Sequence, residues 1–188
     1  MGAYYYLAAS LPTLTPAREL TPAREPSLSL EAFLAVCSRY VQPGELRALA
    51  NARIDDHDSP PQNPIYARWR AFDAELREQL LVLRAARLGW DAAEFTRRER
   101  PAFATLRIRE VFENPAPLQI EHSLFVLRWK FLGELDRAHF MRLENLIVYA
   151  LKLQLIEQRL AMKPKRGEAT LKDVRQGFET ELPTWEEP

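Results

Sequence analysis

The chain has 188 residues, 26 Lys+Arg set against 26 Asp+Glu, one cysteine and 47% hydrophobic residues, which suits one compact domain or two small ones with a buried core. A formal charge of zero gives no net field to draw in nucleic acid. The lone Cys37 closes no internal disulfide and joins no Cys-based zinc site, a usage that fits a reducing cytoplasm.

Residue choice points to an all-α fold. The chain holds 28 Leu and 24 Ala but only 7 Val and 6 Ile, and unbranched side chains lose little rotamer freedom in a helix. The expectation is an elongated bundle of about six to eight helices, in one body or two lobes. Three regions are expected: an N-terminal segment, 1–58, with a Pro-rich insertion at 12–27 and two helices; a main bundle, 59–178; and an acidic tail, 179–188.

The start runs Tyr4-Tyr5-Tyr6-Leu7 and has no basic residue ahead of its apolar stretch, so it reads as mature protein rather than a signal peptide. Pro12, Pro16, Pro22 and Pro26 then break the chain too often for a helix. Inside that linker Thr15-Pro16-Ala17-Arg18-Glu19-Leu20 is nearly repeated by Thr21-Pro22-Ala23-Arg24-Glu25-Pro26, as slippage in a tolerant loop produces; a spacer or docking strip is the other reading.

Ser29 caps a helix expected to about Val41, with Leu30, Phe33, Leu34, Cys37 and Val41 on one face. Cys37 in that stripe reads as a buried small hydrophobe. Pro43 opens a short helix to about Ala52. Asp55, Asp56, His57 and Asp58 follow in a Pro-rich loop, the most reactive-looking cluster in the chain. Four consecutive loop residues match neither the calcium-loop pattern nor a zinc helix motif, so the expected role is a solvated loop with cap residues. A small metal-dependent enzyme built on these four is the competing reading.

Asn63 and Pro64 start the clearest helix, which Gly89 ends. Ile65, Trp69, Phe72, Leu76, Leu80, Leu83 and Leu88 form its apolar stripe, and Arg68, Arg70, Asp73, Glu75, Arg77, Glu78 and Arg84 cover its other, solvated faces. Short helices are expected near 91–98 and 101–113. A longer one, from about Leu118 to Leu135, puts Ile120, Leu124, Leu127 and Phe131 in one stripe, with His122 exposed near its start. The last long helix, about 142–162, is apolar over so wide an arc that it reads as the centre of the bundle or a docking surface. Its apolar stretch is too short to cross a bilayer.

No glycine-rich phosphate cradle is present, since the six glycines stand singly, and neither His122 nor His139 lies in a pattern that suggests a triad. Arg97, Arg98, Arg100, Arg107 and Arg109 form a basic run; with only Phe103 interleaved it suits a solvated helix face or an acidic protein partner better than nucleic acid. No catalytic, cofactor-binding or metal residue is assigned.

Three stretches together carry a resemblance: Tyr4 to Pro12; Arg68-Trp69-Arg70-Ala71-Phe72 running into Leu76-Arg77-Glu78-Gln79-Leu80 and Leu83 to Gly89; and Asn114-Pro115, Arg128-Trp129, His139-Phe140 and Tyr149 to Gln154. The whole resembles short bacterial proteins encoded among the genes of V/A-type ATPases, where the C-type central-stalk component (the d-type component of eukaryotic complexes) would be expected. That resemblance implies a helical, non-catalytic coupling subunit or assembly partner, cytoplasmic and peripheral on the inner face of the membrane, with shaft and proteolipid-ring subunits as partners. The chain is shorter than the C-type component, and the Pro-rich insertion departs from the pattern. Tyr4, Tyr5, Tyr6, Leu7 and Leu11 are candidates for one docking edge, Arg97, Arg98 and Arg100 for a second and Trp185 for a third. Core packing is the other reading of the three tyrosines. A helical adaptor of another complex is the remaining alternative.

Overall fold

The computed structural model describes residues 2–16, 27–91, 117–137 and 142–162, and over these the chain is all-α. Six helices appear among the described residues: α1 (Gly2–Ser10), α2 (Leu30–Cys37), α3 (Pro43–Ala50), α4 (Pro64–Leu88), α5 (Pro117–Arg137) and α6 (Leu143–Ala161). The short helices expected near 91–98 and 101–113, most of the duplicated hexapeptide, and the acidic tail lie outside the described residues.

Local chemistry sets the helix ends. The Asn63 side chain accepts from the Ile65 amide at the start of α4, Pro64 fills the first turn, and Gly89 closes the helix at φ 71°, a left-handed conformation that only glycine adopts without strain. With 25 residues at about 1.5 Å each, α4 is about 37 Å long. Ser29 caps α2 through the Ala32 amide, and Glu157 of α6 reaches across to accept from the Leu30 amide at 2.8 Å. Helix α2 stops at Cys37, not Val41. The Ser38 hydroxyl folds back on the Ala35 carbonyl, the Tyr40 and Val41 amides both turn onto the Cys37 carbonyl, and Gln42 must be extended ahead of Pro43.

Helix α6 is the axis of the bundle, and it touches each of the other five described helices. Leu146, Ile147, Val148, Ala150, Leu151, Leu153, Leu155 and Ile156 are all buried, covering more than one face, as its wide apolar arc predicts. One hydrophobic cluster joins Leu7, Phe33, Cys37, Leu49 and Ala52 to Trp69, Phe131 and the α6 residues, so packing continues across residue 58. A smaller cluster of Leu76, Leu80 and Leu124 extends the α4–α5 contact. No described helix is long and apolar enough to cross a membrane.

Candidate functional site

The segment between α3 and α4 is pinned from below before it can form anything. Buried Gln154, on α6, donates through Nε2 to the Ala52 carbonyl at 2.8 Å and accepts from the Ile54 amide at 3.1 Å. The Tyr66 hydroxyl donates to the Arg53 carbonyl at 2.8 Å and accepts from the Arg53 amide. Two side chains from two helices thus hold three consecutive residues of backbone.

Above that anchor the acidic loop turns its groups apart. Asp55 pairs with Arg53, Nε to Oδ1 at 2.9 Å, and that hydrogen bond holds its carboxyl below the ordinary value. Asp56 Oδ1 accepts from the Asp58 and Ser59 amides; the Ser59 amide chiefly lowers its pKa. The Arg70 guanidinium of α4 bonds the His57 and Ser59 carbonyls. Among the described residues, no three of His, Cys, Asp and Glu are grouped as a metal site. Asp56 accepts from two backbone amides of its own loop, as a cap residue does, while Asp55 is an ion-pair partner of Arg53.

Between this loop and α4 lies a cleft of about 440 Å³, with Ile54, Pro61, Trp69 and Ala74 as its apolar surface and Asp56, His57, Arg70, Asp73 and Arg77 as its polar one. Asp73, Ala74 and Arg77 lie three, four and seven residues beyond Arg70, so one face of α4 forms the wall. Asp73 is 4% exposed. It takes Arg77 Nε on Oδ2 at 2.8 Å and Arg128 Nε, from α5, on Oδ1 at 2.9 Å.

This corrects the placing of Asp73 and Glu75 on solvated faces: both are buried. The i,i+4 pair with Arg77 looks like an ordinary surface pair, and only the approach of Arg128 from 55 positions away in sequence makes Asp73 a buried anchor. The sequence signal that points to it is Asp73 adjoining the Phe72 stripe position.

Docking candidates fall on both sides of the surface. Tyr5 and Tyr6 are 54% and 71% exposed and meet edge to face, with ring centroids 5.9 Å apart. They are not core residues. Leu7 is fully buried and cannot serve a docking edge; α1 lies against α6 and Leu7 is its inward anchor. Leu11 is half-buried and packs on the same core. The Tyr4 side chain and Arg97, Arg98, Arg100 and Trp185 lie outside the described residues, as does His139. Leu88 and Trp90, beyond the core end of α4, are also exposed.

Cys37 is buried and free, and burial pushes its thiol up to about 12. His122 is half-buried rather than exposed. Among the described residues its Nδ1 has no hydrogen-bond partner, and burial, then the nearby Arg159, pushes its pKa below the ordinary value.

Over the described residues the fold is an all-helical bundle, in which the side chains of Gln154, Tyr66 and Arg70 secure the backbone of the segment before α4. Residues 100–181 are similar to the family described as Protein of unknown function (DUF2764), a span that takes in α5 and α6. No curated protein matches the chain, and no solved structure does.

Proposed function

We propose that the chain is a non-catalytic subunit or assembly partner of a bacterial V/A-type ATPase, seating the central shaft on the proteolipid ring from the inner face of the membrane. The resemblance in the three aromatic-rich stretches motivates this reading. Support comes from what their residues do: Trp69, Phe72, Trp129 and Tyr149 belong to or pack on one bundle core, so the shared pattern follows packing. A part that transmits torque needs packed helices in place of a reactive centre.

One observation carries the proposal. Helix α1 has no charged residue, is held to the core by Leu7, and holds Tyr5 and Tyr6 outward. Large amphipathic rings fixed on a short, uncharged helix suit contact with another protein, where tyrosine gives much area for little lost freedom.

The test is recovery of identified shaft or ring subunits with a tagged chain from native membranes, compared with a Tyr5→Ser, Tyr6→Ser double variant. The reading requires those subunits with the wild-type chain and their loss with the variant. Equal recovery with both would move the contact away from α1.

A further inference from the structure

The outward face of α4 repeats every seven residues. Ala74, Leu81 and Leu88 hold one position of the repeat, and Arg77 and Arg84 hold another, three residues further on in each case. All five are exposed, Leu81 by 42% and Leu88 by 61%. Steps of three and four keep them on one side of the helix, in a seam about 21 Å long from Ala74 to Leu88. Leu76, Leu80 and Leu83, which pack with Leu124 of α5, belong to another face, so the core does not use the seam. Exposed leucines scattered singly need no explanation. Two of them one heptad apart, with arginine between whose aliphatic stem covers apolar surface, form the kind of stripe by which one helix packs along another.

Charge decides what covers it. Arg77 is already paired with Asp73. Arg84 has no such neighbour on α4, because the residues three and four away on either side are Leu80, Leu81, Arg87 and Leu88. Among the described residues no carboxylate pairs with it. The seam itself holds no acid, so a second copy of this chain laid along it would meet Arg84 with leucine or arginine and never with a carboxylate. A helix that carries carboxylates between leucines satisfies both kinds of residue.

We propose that this face of α4 docks an acidic amphipathic helix of a partner protein, with its leucines against Leu81 and Leu88 and a carboxylate on Arg84. The site is independent of the ATPase reading, and the Tyr5, Tyr6 variant on α1 leaves it intact.

Fluorescence anisotropy of the full chain tests it, with a labelled three-heptad peptide, stapled to stay helical, that carries leucine at the a positions and glutamate at d. The control is the same peptide with lysine for every glutamate. Saturable binding of the glutamate peptide is expected, with the lysine peptide weaker by about tenfold or more because like charges would then face each other. Arg84→Glu should reverse that preference, an outcome that loss of folding cannot imitate. Leu81→Ser should weaken the glutamate peptide while circular dichroism melting shows the bundle intact. No saturable binding, equal binding of the two peptides, or an unchanged preference in folded Arg84→Glu would each overturn the proposal. Self-association of the wild-type chain that Leu81→Ser abolishes, read by sedimentation, would give the seam to a second copy and overturn it as well.

Discussion

Phe72 and Phe131 stack almost face to face across the α4–α5 contact, their ring centroids 4.0 Å apart and their planes 6° from parallel. Trp69 lies 6.0 Å from the first ring and 6.5 Å from the second, so three aromatics lock the core half of α4 against α5. Phe131→Ala removes one ring from that trio and should cost about 3–5 kcal/mol. Urea unfolding measures it, and a loss below about 1 kcal/mol would show that the site collapses around the missing ring.

The Asp73 pairs predict an asymmetry. Asp73→Ala leaves Arg128 charged in the α4–α5 contact without its carboxylate, and a broken buried pair costs about 3–5 kcal/mol. Arg77 is 43% exposed on the side chain, so solvent screens its pair and Arg77→Ala should cost no more than about 1 kcal/mol. Similar losses in the two variants would contradict this division.

Gln154 predicts a local effect. Gln154→Leu keeps much of the side-chain volume but leaves the Ala52 carbonyl and Ile54 amide without their partner, at a cost of about 1–3 kcal/mol. Hydrogen exchange at the Ile54 amide should accelerate more than exchange in mid-α6; uniform acceleration would mean that Gln154 supports the whole bundle and not the loop.

Much of the fold is legible in the sequence. Asn63-Pro64 and Gly89 bracket α4 because caps are local chemistry, and the apolar arc of α6 announces its central place because burial on several sides leaves no polar stripe. Leu7 and Asp73 escape a local reading for the opposite reason. Three tyrosines outweigh one leucine there, yet which side of α1 meets α6 depends on a helix more than 130 residues away in the chain. A carboxylate four residues before an arginine reads as a surface pair until the fold brings up Arg128. The cleft is invisible for the same reason, since its two walls, loop and helix face, each read as solvated when taken separately.

Two titrating groups give opposite expectations. With its thiol raised to about 12 and buried, Cys37 should stay inert to thiol reagents at mildly alkaline pH until the chain unfolds; fast labelling of the native protein would contradict its burial.

His122 has a folded pKa below its ordinary 6.5, so the unfolded chain takes up the proton first. Its contribution is complete above that value, declines as the pH falls through it, and levels off once the folded pKa is passed. Stability measured from about pH 7.5 to about pH 5 should therefore fall less steeply in His122→Leu than in the wild type.

The central claim, membership of a V/A-type ATPase assembly, is tested most directly by quantitative mass spectrometry of what a tagged chain recovers from gently solubilised native membranes. The account predicts shaft or proteolipid-ring subunits in amounts comparable to the bait. A preparation in which the intact ATPase is present in the membranes and none of its subunits is recovered would contradict it.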